Sequence, residues 1–324
     1  MQDEATYGIG NVLTAAHARH RDNAAGAAAD YIPELAAVDP NRFGIAVATV
    51  DGALHKVGDA DHPFTIQSIS KAFVYCLALE LIGREAVLER VGVEPSGDAF
   101  NAIIFDPHTN RPFNPMVNAG AITVAGIIHD AVGAGAFDFI LDRLSEAAGR
   151  RLTMDEAVYR SEADTGHRNR AIGHLLRNVG ALQGKVDEVV DLYFRQCSIL
   201  VTATDLAQMG ATLAHVGENP VTGRQVFDLM AVRNTLAVMF TCGMYDYSGN
   251  WAYDVGVPAK SGVGGGIVGV VNRQLGIGSF SPRLDAKGNS VRGIAAFKEI
   301  GDELGLHLFD CSNVGSAFVR PFLK

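Results

Sequence analysis

Two short motifs contain lysine in a chain that has few lysines. The first is Ser68-Ile-Ser-Lys71, an S-x-x-K sequence at the start of a long apolar segment, 69–82, whose spacing predicts a helix. Residues three apart share one face of a helix, so we expect the Ser68 hydroxyl and the Lys71 amine to lie side by side. A neutral lysine in a desolvated site can remove the proton of a serine nucleophile. Taken alone, the motif fits a helix-capping serine and a solvated lysine better.

The second motif strengthens the catalytic interpretation. Lys260-Ser261-Gly262 lies just before a predicted strand at 265–272. To be neutral near pH 7, Lys71 needs a pKa roughly 3 units below its usual value of about 10.4. The site must therefore destabilise the charged form of Lys71 by about 4 kcal/mol. Burial and one neighbouring cation, here Lys260, can supply that shift. An S-x-x-K followed late by K-[ST]-G resembles the penicillin-recognising serine hydrolases.

The composition is typical of a soluble globular enzyme. Of 324 residues, 48% are hydrophobic and 19% are charged, which excludes a disordered chain. The net charge of −9 argues against a nucleic-acid partner. We find no signal-peptide core and expect no apolar stretch long enough to cross a membrane, so we predict a cytoplasmic protein with no membrane partner. The cysteines lack paired spacing, which favours buried thiols over disulfides or a zinc site; they are Cys76, Cys197, Cys242 and Cys311.

The elements that must position these motifs are strands near both ends of the chain and helices between them. Arg42–Val50 and 53–57 flank Asp51-Gly52, a strong hairpin signal. Three later strands are predicted at Trp251–Val257, Gly265–Asn272 and Leu275–Ser279. Helical spacing is found at 6–29, 69–82, 85–91, 118–132, 136–149, 168–179, 185–197, 204–215, 226–240 and 290–304.

This order of elements predicts an α+β fold. We expect one antiparallel sheet built from both ends of the chain and flanked by the terminal helices, with an inserted helical lobe. The chain is predicted to be a single catalytic domain over 1–324, with a sheet lobe formed by 1–75 and 225–324 and a helical lobe at 76–224. A small-molecule site is expected between the two lobes.

Longer motifs point to one family. Residues 114–121 read NPMVNAGA, residues 243–250 read GMYDYSGN, and residues 259–266 read AKSGVGGG. SEADTGHRN at 161–169 and YFRQCS at 193–198 add to the pattern. Together they closely resemble the serine-dependent glutaminases of bacteria and the catalytic core of the mammalian kidney-type and liver-type enzymes. The resemblance extends from about Tyr31 to Val291.

The resemblance implies a β-lactamase/penicillin-binding-protein-like fold and hydrolysis of L-glutamine to L-glutamate and ammonia through a serine acyl-enzyme. Ser68 matches the nucleophile of the family, Lys71 its base, and Tyr245 a tyrosine close to both. Lys260 is expected to support them. Residues that match substrate-holding positions are Tyr31, Gln67, Ser68, Asn118, Glu162, Asn169, Tyr193, Tyr245 and Val263.

Each of these matches has a chemical rationale. Glu162 would pair with the α-ammonium group of glutamine, and the backbone N–H groups of Ser68 and Val263 would form an oxyanion hole. Since the chain supplies nucleophile, base and oxyanion donors, we expect no metal or organic cofactor. L-glutamine is the expected small-molecule partner, and a homodimer or homotetramer is the expected assembly.

Other interpretations fit parts of the sequence. A β-lactamase or peptidase of the same fold is the nearest enzymatic rival, and a degenerate penicillin-recognising sensor is the non-enzymatic one. The glycines in Gly264-x-Gly266-x-x-Gly269 match a dinucleotide fingerprint, but strand-like residues follow where that motif needs a helix. His17 and His20 share a predicted helix face without a third metal ligand at suitable spacing.

Overall fold

The computed structural model of the protein describes residues 8–97 and 102–310. Its strands are β1 (Gly44–Thr49), β2 (Leu54–Gly58), β3 (Phe64–Thr65), β4 (Thr153–Met154), β5 (Ile199–Val201), β6 (Ala259–Ser261), β7 (Gly266–Val271) and β8 (Leu275–Phe280). Its α helices are α1 (Ile9–His20), α2 (Pro33–Ala36), α3 (Ser70–Ile82), α4 (Arg84–Arg90), α5 (Asn118–Val132), α6 (Ala136–Ala148), α7 (Glu156–Thr165), α8 (His167–Asn178), α9 (Val186–Cys197), α10 (Ala203–Ala214), α11 (Leu229–Cys242), α12 (Ser248–Asp254) and α13 (Val291–Leu304).

The main sheet joins the two ends of the chain. It has five strands in the order β2-β1-β8-β7-β6, and every neighbouring pair is antiparallel. β1 and β2 form the predicted hairpin, in which Ala48 pairs with Leu54 across the Asp51-Gly52 turn. β1 then pairs with β8 along its whole length. The prediction of a mixed α/β protein with an antiparallel sheet from both chain ends is therefore confirmed.

Alternate residues of the central strands face two different layers of helix. Ile45 and Val47 of β1 belong to a core cluster that contains residues of α1 and α13. Ala46 and Ala48 belong to the other cluster, which contains α10. This period of two is what a strand buried on both faces requires. The terminal helices thus cover one face of the sheet and α10 covers the other.

The contact between α10 and the sheet is made by main chain. A Cβ added to Gly276 of β8 would lie 2.2 Å from the backbone nitrogen of Ala211, and one on Gly278 would lie 2.1 Å from the carbonyl oxygen of Ala203. No larger residue fits at these two positions of β8. α10 belongs by sequence to the segment predicted as the helical lobe, yet it packs directly on the sheet.

Helix α3 lies buried in the larger hydrophobic core, the one that also contains α10. All its residues from Ser70 to Leu79 are buried, and it packs against α5 and α11. This confirms the predicted helix at 69–82. A 3₁₀ turn over Gln67–Ile69 leads into it, so the chain passes from β3 through this turn into the helix.

One segment corrects a prediction about membranes. Asn118–Ala148, which contains α5 and α6, is long and apolar enough to cross a membrane by length and composition, with mean hydropathy 1.5. The prediction that no stretch of this length and composition occurs is therefore wrong. The residues of α5 from Asn118 to Ile128 are buried inside the protein, where α5 packs against α3, α8 and α9. A core helix has the same composition, so this segment is weak support for a membrane span.

The prediction of a strand at Trp251–Val257 is wrong, because the first four of these residues belong to helix α12. On a strand, Trp251 and Tyr253 would share a face. Here Trp251 is 0% exposed and packs on Phe297, whereas Tyr253 is 86% exposed. Burial of one large indole ring overrides the strand preference of the surrounding residues. The N-terminal helix predicted at 6–29 is confirmed over Ile9–His20 and is wrong at 21–29, which is not helical, while residues 6–7 lie outside the described residues.

Candidate active site

The Ser68 hydroxyl lies at the start of α3 in a constrained turn. Ser68 is 6% exposed, and the residue before it, Gln67, has a φ of 48°. A left-handed conformation in a residue other than glycine costs on the order of 1–3 kcal/mol and clusters at functional sites. The N–H groups of the next two residues already have acceptors, since Ile69 donates to the carbonyl oxygen of Ile66 and Ser70 to that of Gln67. The Ser68 hydroxyl is thus carried by a turn whose backbone is held by its own hydrogen bonds.

Lys71 is buried beside this turn. Its side chain is 1% exposed, and Nζ donates to the Oδ1 atom of Asn118 at 2.7 Å and to the carbonyl oxygen of Met116 at 3.2 Å. Burial lowers the pKa of Lys71 to about 8. A group with that pKa is neutral in about one molecule in ten at pH 7. Lys71 can therefore act as a base near neutral pH without a large further decrease in its pKa.

Tyr245 lies in a chain of hydrogen bonds that includes Ser68. Its hydroxyl donates to the carbonyl oxygen of Ser261 at 3.1 Å and also hydrogen-bonds the Ser68 hydroxyl. A phenol has one proton, and Ser261 receives it, so Ser68 is the donor of the second bond. Burial raises the pKa of Tyr245. Tyr245 is thus a neutral acceptor that orients the proton of Ser68.

Lys260 lies behind Tyr245. It is 0% exposed, and its Nζ donates to the carbonyl oxygens of Ser261 at 2.6 Å and Gly243 at 2.9 Å. Burial lowers the pKa of Lys260 well below its usual range, and the charge of Lys71 lowers it further. The two lysine motifs therefore meet at one site, and the main cause of both shifts is desolvation.

Asn118 connects Lys71 to two other helices. Besides the bond from Lys71, its Oδ1 accepts a longer one from the Tyr193 hydroxyl at 3.4 Å, and its Nδ2 donates to the Oδ1 atom of Asn169 at 3.1 Å. Asn118 begins α5, Asn169 lies on α8 and Tyr193 on α9. Burial raises the pKa of Tyr193 well above its usual range, so this hydroxyl stays neutral.

Glu162 supplies a buried carboxylate next to the 3₁₀ turn at Gln67–Ile69. It is 7% exposed on α7 and accepts hydrogen bonds from the Tyr31 hydroxyl at 2.7 Å and from the Gln67 amide. Burial raises the pKa of Glu162. Both donors are neutral, so they leave its negative charge uncompensated. A buried carboxylate of this kind is suited to bind an ammonium group. Tyr31 is 49% exposed and forms the rim of the site.

A glycine-rich turn brings Val263 against the segment that carries Ser68. A Cβ on Gly264 would lie 2.8 Å from the carbonyl oxygen of Thr65, and Gly265 has a φ of 93°. The turn is closed by a bond from Gly262 N to Gly266 O at 3.0 Å. Val263 itself is half-buried and packs on a small cluster formed by Ile32, Leu35 and Val158. The glycines allow the close approach of main chain that was predicted for this segment.

The predicted site residues other than Val263 form three groups, and contacts connect the members of each group. The first contains Ser68, Tyr245 and Lys260; the second contains Lys71, Asn118, Asn169 and Tyr193; the third contains Tyr31, Gln67 and Glu162. Three further side chains behind the turn were not predicted, namely Ser70, Gln196 and Cys197. The carbonyl acceptors of Met116, Gly243 and Ser261 were also missed, because main-chain groups have no sequence signature.

The residues of the competing motifs have other surroundings. Gly266 and Gly269 lie inside β7, which returns as β8, whereas a dinucleotide fingerprint opens a helix. His17 contacts the carbonyl oxygen of Phe43, and His20 contacts Glu299. Cys76, Cys197 and Cys242 are buried free thiols, as predicted, while Cys311 lies outside the described residues.

Comparison with known proteins matches most of the chain. The family model described as Glutaminase matches residues 26–309. The curated Glutaminase of Nostoc sp. is 48% identical over 324 residues, covering 98% of this chain and 97% of that protein. Glutaminase 2 of Bradyrhizobium diazoefficiens is 56% identical over 298 residues, covering 92% of this chain and 48% of that protein, so the chain spans about half the length of this relative. The crystal structure of Mglu in its glutamate form has a TM-score of 0.87 at 44% identity, covering 96% of this chain and 71% of that one.

Proposed function

Because this chain belongs to the glutaminase family, we propose that it hydrolyses L-glutamine to L-glutamate and ammonia through a serine acyl-enzyme. The observation that carries the proposal is the convergence of Ser68, a lysine with a pKa of about 8 and a buried carboxylate in one site. The relative Mglu was solved in its glutamate form, which supports binding of the reaction product by a site of this kind.

The acylation step uses Ser68 as nucleophile and Lys71 as base. Neutral Lys71 takes the proton of Ser68 while the Ser68 oxygen attacks the amide carbon of glutamine. Tyr245, which holds the Ser68 hydroxyl, steers this transfer. The C–N bond then breaks, and Lys71 returns the proton to the leaving nitrogen, which departs as ammonia. Ser68 is left as a glutamyl ester.

Deacylation reverses the roles of the same groups. A water molecule gives its proton to Lys71 and its oxygen to the ester carbon, and the Ser68 oxygen regains a proton as L-glutamate leaves. In both steps the negative carbonyl oxygen is stabilised by the backbone N–H groups of Ser68 and Val263. The close packing of the glycine turn on Thr65 supports this assignment.

The α-amino-acid end of the substrate is held by the polar groups around the turn. Glu162 pairs with the α-ammonium group, with Tyr31 and Gln67 fixing the carboxylate. Asn118, Asn169 and Tyr193 form hydrogen bonds with the remaining polar atoms. Asparagine is one methylene shorter, so its amide carbon would lie too far from Ser68 for efficient attack.

We also propose the fold of the penicillin-recognising serine hydrolases, with one catalytic domain and the two lobes predicted from the sequence. It is supported by the position of S-x-x-K at the start of α3 and of K-S-G on β6, an edge strand of the sheet. A cytoplasmic location and a homodimer or homotetramer are further proposals. Sedimentation of the purified protein tests the assembly.

A paired assay tests the activity. We expect wild-type protein to release ammonia and glutamate in equal amounts from L-glutamine, with far slower turnover of L-asparagine and D-glutamine. Ser68→Ala should abolish this release while circular dichroism stays unchanged. Nitrocefin is the control substrate for the rival β-lactamase function. Turnover of nitrocefin without ammonia release from glutamine would replace the proposal by that rival, and no turnover of either would favour a non-enzymatic sensor.

A further inference from the structure

Three hydrogen-bonding groups meet at Ser70, directly behind the nucleophile turn. Ser70 is fully buried, and its Oγ donates to the carbonyl oxygen of Gln67 at 2.7 Å. The Nε2 atom of Gln196, on α9, donates to the Ser70 Oγ at 3.3 Å. The thiol of Cys197, the next residue of α9, also interacts with Ser70, which lowers the pKa of this thiol against the larger effect of burial. Helix α9 is thereby connected to the turn through a buried polar side chain.

The carbonyl that Ser70 holds belongs to the strained residue of the turn. Gln67, with its φ of 48°, accepts hydrogen bonds from both the backbone N–H and the Oγ of Ser70. A strained conformation persists only where its surroundings hold it in place. A serine hydroxyl inside a helix often bonds a carbonyl of the same helix. Here the acceptor lies before the helix, next to Ser68, so rotation of this peptide unit would displace the nucleophile.

We propose that Ser70 and Gln196 are positioning residues for Ser68. The inference rests on the proposed glutaminase reaction. Gln196 donates to Ser70, and Ser70 donates to the carbonyl oxygen of Gln67. Both side chains therefore act through Gln67 and not on the reacting atoms. Lys71 donates to other groups, Met116 and Asn118, and the Cys197 thiol, which interacts with both Lys71 and Ser70, is unchanged in these variants. Loss of the Ser70 bond should therefore misplace the nucleophile while the proton affinity of Lys71 stays the same.

Gln196 offers a way to separate positioning from stability. The residue is 0% exposed, and its Oε1 has no hydrogen-bond partner among the described residues. A buried polar atom without a partner costs stability. Methionine has a similar length and no such atom, so Gln196→Met removes this cost together with the donor to Ser70. We expect a fold at least as stable and a slower enzyme, a combination that loss of a merely structural residue does not produce.

The test compares four variants of the full chain with wild type. Ser70→Ala should lower kcat by about tenfold or more, since displacement of reacting groups by about 1 Å can cost 100-fold. Its inhibition constant for L-glutamate should stay within about threefold, and the midpoint of its pH–rate profile should not move. Gln196→Met should lower kcat less and leave Tm equal or higher. The double variant should be no slower than Ser70→Ala, because Gln196 acts through Ser70.

Ser198→Ala is the matched control. Ser198 is also fully buried, at the end of α9, and its Oγ donates to the carbonyl oxygen of Phe194 of the same helix at 2.9 Å, not to Gln67. It should keep the wild-type kcat. The inference is overturned if Ser70→Ala is as fast as wild type, if it loses glutamate binding and kcat in parallel, if the double variant is additive, or if Ser198→Ala slows the enzyme equally. Failure of the proposed function would show differently, as a wild-type protein without glutaminase activity.

Discussion

The Nζ atom of Lys260 lies 4.1 Å from the centre of the Tyr245 ring, and both side chains donate to the same carbonyl oxygen, that of Ser261. The Lys260 amine therefore lies against the face of the ring, and the two side chains share one acceptor. Tyr245 has a φ of 56°, so this pairing also holds a strained backbone next to the nucleophile. Through Tyr245, this contact connects the K-S-G motif to Ser68.

The first prediction follows from this arrangement. Tyr245→Phe keeps the ring over Lys260 but removes the oxygen that accepts from Ser68. Ser261 still accepts from Lys260, so no buried acceptor is left without a donor. We expect kcat/KM for glutamine to fall by about 100-fold or more, in the range of general acid–base effects, with little change in Tm. Tyr247→Phe, outside the site, is the control and should match wild type. An unchanged kcat/KM in Tyr245→Phe would exclude a role for the hydroxyl.

The second prediction concerns proton transfer by Lys71. Arginine keeps the charge but cannot lose its proton at workable pH. Lys71→Arg and Lys71→Ala should therefore both lose about 1,000-fold or more in kcat/KM. Circular dichroism and binding of L-glutamate report whether each variant is folded. A folded Lys71→Arg within about tenfold of wild type would mean that Lys71 acts only through its charge, and Tyr245 would become the candidate base.

The third prediction is a pH profile. Lys71 accepts a proton only when neutral, and burial places its pKa at about 8. We expect kcat/KM to rise about tenfold per pH unit below that value and to level off above it. Burial raises the pKa of Tyr245, so ionisation of this phenol should not reduce the rate near pH 9. Rates that are flat from pH 6 to 10 would assign the base to another group.

The fourth prediction separates binding from stability at Glu162. Glu162→Gln removes the charge that pairs with an ammonium group, so KM for glutamine should rise about tenfold or more. Burial raises the pKa of this carboxyl. An acid with a raised pKa in the fold costs stability as pH rises above its unfolded pKa of about 4.3, so the variant should have a higher Tm at pH 7. Glu156→Gln, an exposed change on the same helix, should alter neither KM nor Tm appreciably. A Tm lowered by Glu162→Gln would contradict the assignment.

Local patterns in the sequence predicted most of the elements that position the site. The hairpin at Asp51-Gly52, the buried helix α3 and the final strands β7 and β8 follow from turn chemistry and periodicity. Helix α7, which carries Glu162, was missed because it is short and polar on most of its surface. The small sheet β3-β5-β4 was missed because its strands have two or three residues.

The sequence indicated the residues of the candidate site but not the hydrogen bonds between them. The motifs that resemble a known family indicated Ser68, Lys71 and Asn118. The bond from Lys71 to Asn118 joins residues 47 positions apart, and that from Gln196 to Ser70 joins residues 126 apart. Such partners are chosen by the packing of α3 against α5 and of α9 against the nucleophile turn. No local pattern predicts pairings of this kind.

The glycine contact between β8 and α10 fixes a distance as well as a surface. On one side, β8 leads through β7 to β6, which carries Lys260. On the other, α10 follows β5, and β5 pairs with β3 just before Ser68, with Thr65 opposite Leu200. Each lysine motif is therefore attached to one of the two elements that meet at this contact, where peptide backbone approaches peptide backbone. Main chain cannot change rotamer, so a side chain added at Gly276 or Gly278 would have to move the sheet and α10 apart, and with them the strands that lead to Lys260 and Ser68.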